Sequence, residues 1–240
     1  MKLLDRSGGN TKLRKTNNKE MELHFAGLSM HPDDAICAGA KAAGCMTDCL
    51  KDAGLGGVYP SVNQARQAKT DFYLSDQEGF LVQLRRELTN YVKWCVKKEL
   101  HGVVRLNVLS DIPWETHNIP QDFPELSFYD YTKVAKRFHK GMPSNYQLMF
   151  SYSGKPTYKN QVLSFLKSGS DSSVAVVFNR RPFPATFMGR DVIDGDASDW
   201  VNVNNKGVVV GLTAKGPAKH NDNGFVVDVS AIPVVAVGGM

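Results

Sequence analysis

The sequence contains no apolar run long enough to cross a bilayer, which excludes a helical membrane span. Its first twenty residues, MKLLDRSGGNTKLRKTNNKE, offer only Leu3 and Leu4 before Asp5 and Arg6 break the apolar start, so no secretory signal is expected. There is no internal repeat and no low-complexity tract. Neither charge sign dominates: 29 Lys and Arg stand against 24 Asp and Glu, a formal +5. That excludes a dedicated nucleic-acid coat and permits a phosphate-bearing partner without requiring one. No Ser–His–Asp order and no helical metal-binding histidine pair is present, so the common hydrolase signatures are missing. Cysteine is scarce as well. Four in 240 residues are too few and too unevenly placed for a disulfide scaffold. What remains is a soluble protein expected in a reducing cytoplasm. A flexible basic arm over 1–20 would precede a single domain over 21–240.

Beyond the arm, strand-like apolar runs alternate with helical segments. Six strands are expected, at 22–30, 103–109, 126–131, 146–152, 174–178 and 208–213. The stretch 63–100 has helical spacing, with Phe80, Leu81, Leu84, Leu88, Tyr91, Val92 and Cys95 along one face and an N-cap offered by Ser75–Asp76. Helical pieces are also expected around 133–140 and over 160–167. The connection 182–205 is long and lacks clear helix. Continuously apolar strands separated by helices argue for an α/β fold: a parallel sheet covered by helices, wound as an open sheet or a partial barrel.

Three of the four cysteines fall within thirteen residues, Cys37-AGAKAAG-Cys45-MTD-Cys49, after the first strand. Thiolates are soft donors suited to iron–sulfur clusters or zinc. Three of them can ligate three irons of a [4Fe–4S] cluster and leave the fourth iron open, with Gly39 and Gly44 letting the loop wrap a bulky cube. Zinc is the alternative, with His24 or His31 as a fourth ligand. Three buried cysteines acting as small hydrophobes are the plain alternative. Cys95, on an apolar helix face, belongs to the core.

In open α/β sheets chemistry collects beyond the C-terminal strand ends, and here those ends are polar. Arg105 and Asn107 share a face of the second strand, which runs on to Ser110 and Asp111. The third ends near Asp130 and Lys133, and the fourth near Ser151 and Ser153. Asp111, Asp130 and Lys133 are therefore candidate catalytic residues, and Arg105, Asn107 and Ser151 candidate pocket residues. A structural salt bridge from Arg105 to Asp130 or Asp111 is the competing account. The carboxylates of 194–199 bunch in a glycine-containing turn without the glutamate that completes an EF-hand loop. Gly207 and Gly211 flank and interrupt the last strand, where glycine marks close approach by a ligand or another backbone. Lys206, Lys215 and Lys219 flank the same strand.

Over roughly 10–228 the chain resembles the gene product 88-like proteins of tailed bacteriophages and prophages. The resemblance rests on the Cys37/Cys45/Cys49 loop, SVNQARQAKT from Ser61, VRLNVLSDIPWE from Val104, FYDYTK from Phe128, VIDGDASDW from Val192 and GVVVGLTAKGPA from Gly207. The six strands and the three-cysteine loop also resemble, more distantly, the radical S-adenosylmethionine enzymes. That second resemblance implies a six-stranded partial (β/α) barrel and a [4Fe–4S] cluster on Cys37, Cys45 and Cys49. It also implies S-adenosylmethionine as co-substrate, with Gly207 and Gly211 supporting adenine. The expected activity is then a radical enzyme acting on a nucleotide, nucleic acid or host component. The alternative is a non-catalytic, metal-stabilised protein that binds nucleic acid or a host protein.

Overall fold

All six expected strands form, and they pair in parallel in chain order apart from one insertion. The computed structural model describes residues 1–6, 22–199 and 201–232. Strands β2 (Leu23–Leu28), β3 (His101–Arg105), β4 (Ser127–Thr132), β5 (Tyr146–Ser151), β6 (Val174–Phe178) and β9 (Val209–Thr213) lie side by side. The register sets Phe25 opposite Val103, Val104 opposite Phe128, Asp130 opposite Leu148, Phe150 opposite Val174 and Val176 opposite Gly211. Three short strands extend this array. β1 (Leu4–Asp5) runs antiparallel to β2, while β8 (Arg190–Asp194) runs parallel to β9 and carries antiparallel β7 (Thr186–Phe187) on its outer edge. The product is a nine-stranded, mostly parallel sheet and not a closed barrel. The segment 182–205, expected as an irregular connection, supplies β7, β8 and a four-residue helix.

Among the described residues the helices are α1 (Ala40–Ala43), α2 (Leu55–Val58), α3 (Pro60–Ser75), α4 (Gln77–Lys97), α5 (Ile119–Asp122), α6 (Lys159–Lys167) and α7 (Val201–Asn204). The periodic stretch 63–100 is thus two helices. Proline at the first position opens α3. The break at Asp76 follows from local chemistry: its carboxylate accepts from the Gly79 N–H at 2.9 Å and caps α4. A Cβ on residue 79 would sit 2.2 Å from that carboxylate, so a larger residue there would require the Asp76 side chain to shift. Phe80, Leu84, Leu88, Tyr91 and Cys95 recur every three or four residues and are buried together on α4. Full burial of one such leucine is worth about 2 kcal/mol. The piece around 133–140 is a 3-10 turn, Ala135–His139.

Strand alternation divides the core. One face, with Ala26, Val104, Phe128, Leu148, Phe150 and Val176, packs on α4 and the aromatic rings of Trp114, Tyr158 and Phe165. The other carries Leu23, Phe25, Val103, Tyr129, Met149 and Val210, covered by Val201 and Val203 of α7. The start of the chain departs from the expected solvated arm. Leu3 and Leu4 are buried, and their N–H groups donate to Glu87 at 2.8–3.0 Å. Residues 7–21, the rest of that arm, lie outside the described residues, as do Trp200 and 233–240.

Candidate functional site

Parallel pairing brings the C-terminal ends of the strands, and the loops that follow them, to one rim of the sheet. The loop after β2 is stitched to its neighbours there. The Cys37 thiol donates to the Leu109 carbonyl (3.4 Å) and the Asp111 N–H to the Ile36 carbonyl (2.7 Å). Ser153 and Thr157 donate to the carbonyls of Ala43 (2.7 Å) and Ala42 (2.6 Å), and Asn223 to that of Gly44 (3.0 Å). The two loop glycines have different reasons. Gly44 closes α1 with φ +77°. Gly39 has φ −99°, outside the left-handed region, and is needed because a Cβ there would lie 2.4 Å from the Cβ of Lys133.

Cys37, Cys45 and Cys49 are half-buried free thiols; Cys37 feels the charges of Cys49 and Cys45, and Cys49 feels that of Cys45. Burial pushes the Cys37 thiol up to about 12, aided by Asp111, Cys49 and Cys45. Burial also raises Cys45 and Cys49, with Lys133 opposing it at Cys45 and a backbone hydrogen bond opposing it at Cys49. Two cations flank the thiols. Lys133 lies within reach of Cys45, and Arg66 of α3 within reach of Cys49. Among the described residues no three His, Cys, Asp or Glu side chains stand close enough together to hold a metal ion. Neither histidine proposed as a fourth zinc ligand acts on the thiols. His24 is held by the Tyr91 hydroxyl (2.9 Å) near the start of β2, and the His31 ring faces the Pro32 carbonyl (3.1 Å).

The Lys133 ammonium is buried beneath this loop. It donates to the carbonyls of Ser151 and Tyr152 (both 3.1 Å) and lies over the rings of Phe225 (4.7 Å) and Tyr158 (5.4 Å). Desolvation lowers its pKa, and Cys45 and Asp111 oppose that shift. Ser151 thus meets Lys133 through its backbone carbonyl. Tyr158 fixes the same corner by donating to the Lys133 carbonyl (2.7 Å).

Asp130, Asn107 and Asp111 are committed to other groups of the protein. Asp130 accepts from the Asn107 N–H (2.7 Å), the Asn107 amide (3.3 Å) and the Tyr146 hydroxyl (2.9 Å). The first of these takes the place of a strand ladder bond, which is why β3 stops at Arg105 rather than at 109. Burial pushes the Asp130 carboxyl up to about 7 against these donors and Arg105. The Asn107 carbonyl accepts from Ser110 (2.9 Å), the Ile112 N–H (2.9 Å) and the Trp114 indole (3.0 Å). Asp111 pairs with Arg137 (3.0 Å) and accepts from the Lys133 N–H (2.7 Å). Arg137 in turn grips Glu115 with two bonds of 2.9 and 2.7 Å. The anticipated ion pair to Asp111 therefore exists, but its cation is Arg137 rather than Arg105.

Arg105 points to the opposite face, its guanidinium 4.5 Å from the Tyr131 ring centre and 6.0 Å from that of Tyr129. The acidic turn is neutralised by its own cations. Arg181 bridges Asp194 (2.6 Å) and Asp196 (3.3 Å), and Lys215 meets Asp196 at 2.7 Å. Gly207 occupies a left-handed turn at φ +71°. Gly211 makes room for Phe183, whose ring would lie 2.7 Å from an added Cβ.

The family model described as gene product 88 matches residues 1–229, which include all three loop cysteines, Lys133 and Arg105. The chain belongs to the gene product 88 family. No curated protein and no solved structure matches it. This bacteriophage family member carries functional groups at the rim that sequence reading passed over: Arg66, Glu115, Arg137 and Tyr158. Arg66 lies inside the SVNQARQAKT segment, and Glu115 ends VRLNVLSDIPWE. The segments pointed to them without revealing that they converge. No helix among the described residues is long and apolar enough to cross a membrane.

Proposed function

We propose that this bacteriophage protein is an iron–sulfur protein of the host cytoplasm, with Cys37, Cys45 and Cys49 as ligands of a [4Fe–4S] cluster. We further propose that it works as a radical-S-adenosylmethionine-type enzyme on a nucleotide, nucleic acid or host component. In that reading the six parallel strands β2–β6 and β9 serve as the partial barrel. One observation carries the proposal. Three free thiols, close enough to act on one another, sit in the loop after the first parallel strand with the cations of Lys133 and Arg66 beside them. Three thiolates bring charge that a half-buried site tolerates only when it is offset, and these cations supply the offset. A cube spreads its ligating sulfurs wider than a single ion does. Iron and sulfide uptake, set against zinc uptake, separates the two ligand geometries at this loop.

The cluster, when bound, supplies one-electron reduction. The protein's own part is to hold three deprotonated sulfurs, and because burial raises all three thiols, loading must release protons. Lys133 lies under Gly39 of the loop and is itself anchored by the Ser151 and Tyr152 carbonyls, and Arg137 with Asp111 and Glu115 braces the β3 and β4 ends. The spacing of seven and three residues between the cysteines differs from the commonest pattern of the radical enzymes. Cluster binding is therefore tested first. Protein purified and reconstituted without oxygen is expected to be brown and to contain iron and sulfide. Failure to take up either element overturns the reading. Reductive cleavage of S-adenosylmethionine by the reconstituted protein then tests the activity.

A second reading is favoured by the dense stitching of the cysteine loop to 153–157 and 221–223. It makes the loop a structural staple, stabilised by zinc, in a protein that binds nucleic acid or a host protein. Loss of fold on Cys45→Ala, stable zinc uptake and salt-sensitive nucleic-acid binding would favour it.

A further inference from the structure

The outer face of α4 carries charge of one sign. Arg86, Asn90, Lys93 and Lys97 recur at steps of four, three and four residues, which sets them in one row along the helix. All four are exposed. From Leu88 to Lys98 the chain has no Asp or Glu to offset the cations. At a rise of about 1.5 Å per residue, the row from Arg86 to Lys97 is about 16 Å long. Helix stability accounts for little of it. The helix dipole favours cations in the last turn, which covers Lys97 alone. Lys93 and Lys97 stand four apart as like charges, an arrangement that destabilises a helix.

β1 adds charge from the side. An open cleft of about 270 Å³ lies between β1 and α4, and Lys2, Arg6, Arg86 and Asn90 line it together with Glu87. The Glu87 carboxylate is taken up within the protein. It accepts from the Leu3 and Leu4 N–H groups at 2.8–3.0 Å and from the Gln83 amide at 3.0 Å. Those bonds, the Lys69 bond to the Leu3 carbonyl (3.1 Å) and the pairing of Leu4 with Leu28 fix β1 against the helix. Arg6 is placed by Trp94, its guanidinium 5.9 Å from the ring centre. That ring is itself held by Tyr91 (6.2 Å, stacked) and His24 (4.5 Å, edge-on). Among the described residues Lys2, Arg6, Arg86, Lys93 and Lys97 enter no ion pair. By contrast Arg85, next to Arg86 in the chain, pairs with Asp122 at 2.8 Å.

We propose that this face binds the phosphate backbone of a nucleic acid, laid along the row from Arg86 to Lys97 and clamped at its side by Lys2 and Arg6. The cations are spread along a line instead of converging on one point, which suits a polyanion rather than a single anion. Guanidinium forks take phosphate oxygens two at a time, ammonium groups add point charge, and the Asn90 amide donates without adding charge. Contacts of this kind carry no sequence information. The proposal rests on the nucleic-acid branch of the functional reading and not on the cluster.

The test is fluorescence anisotropy of a labelled oligonucleotide, single-stranded and as a duplex, titrated with full-length protein over a series of salt concentrations. It is run before and after iron reconstitution, so failure of iron loading and failure here are separate results. Binding is expected in both preparations, equal for two unrelated base sequences and falling steeply with salt. Arg86→Gln and Lys93→Gln are expected to keep the wild-type melting temperature, because both side chains are exposed. Each should weaken binding at least about threefold at low salt and lower the slope of log affinity against log salt by about 0.7–0.9. Lys159→Gln is the control: Lys159 is exposed on α6, which packs beside β5 through Phe165 and Phe150, and its loss is expected to change neither quantity. No binding by the wild type, or Arg86→Gln and Lys93→Gln indistinguishable from Lys159→Gln, overturns the proposal. So does polyglutamate bound as tightly as an oligonucleotide of equal charge, which would assign the face to an acidic protein.

Discussion

Gly39→Ala isolates the docking of the cysteine loop on Lys133. Residue 39 has φ −99°, which alanine adopts freely, so backbone strain plays no part. The added Cβ would meet the Lys133 Cβ at 2.4 Å and its carbonyl oxygen at 3.2 Å. Lys133 cannot simply give way. Its N–H is held by Asp111 and its carbonyl by Tyr158, both at 2.7 Å. Overpacking of this kind costs about 1–3 kcal/mol. For a chain of this size that lowers the melting temperature by about 2–4 °C per kcal/mol, or about 2–12 °C in all. Gly141→Ala is the control, since an added Cβ there meets nothing within 4 Å. Its effect is expected within about 0.5 kcal/mol. Thermal unfolding of both variants followed by circular dichroism decides the matter. A melting temperature for Gly39→Ala equal to that of the control would refute the docking of this loop on Lys133.

Asp130 is expected to make stability pH-dependent. Burial raises its carboxyl to about 7 in the folded protein from 3.8, so its contribution is complete below the lower value and is lost as pH rises through the upper one. The stability of wild type relative to Asp130→Asn, from urea unfolding, is expected to fall across that window; a constant difference counts against the assignment. Cys37, pushed up to about 12, should react with iodoacetamide near neutral pH about a thousandfold more slowly than an ordinary thiol in metal-free protein. Peptide mapping of the alkylated protein measures this, and equal rates would contradict the burial. Leu84→Ala should destabilise by about 2–5 kcal/mol through the cavity left beneath α4, read from denaturant midpoints. In reconstituted protein, Cys45→Ala should lose iron while Cys95→Ala keeps it, because Cys95 is buried on α4; equal iron in both variants argues against the ligand set.

The parts of this protein that depend on near neighbours were legible in advance. Val174 to Phe178 is apolar throughout because both faces of that strand are buried, and Phe80, Leu84 and Leu88 recur at helical spacing because one stripe of α4 meets the sheet. Asp76 could be read as a cap because a cap joins residues three apart. Leu4 and Asp5 were not legible as a strand. Two residues carry no period, and their ladder partner lies more than twenty positions away on β2. β7 is equally short, and β8 carries only Val192 and Ile193 as apolar residues, too few to mark a strand.

The site divides along a similar line. The grouping of Cys37, Cys45 and Cys49 within thirteen residues is a property of sequence, and the turn through α1 and Gly44 brings the thiols near one another. Which charges serve which partners is a property of the fold. Arg105 and Asp130 alternate along neighbouring strands, and strand parity turns one toward Tyr131 and the other toward Asn107 and Tyr146. Asp111 meets Arg137, and Arg105 the Tyr131 ring, each across 26 positions. The sequence by itself determined the six central strands, the α4 stripe and the presence of a thiol loop, because each is written in spacings of a few residues. Only the tertiary structure decided that Asp111 and Asp130 are braces, that Lys133 lies under Cys45 and that Arg105 lies against Tyr131. Pairing between distant residues depends on strand order and register, and local spacing does not encode it.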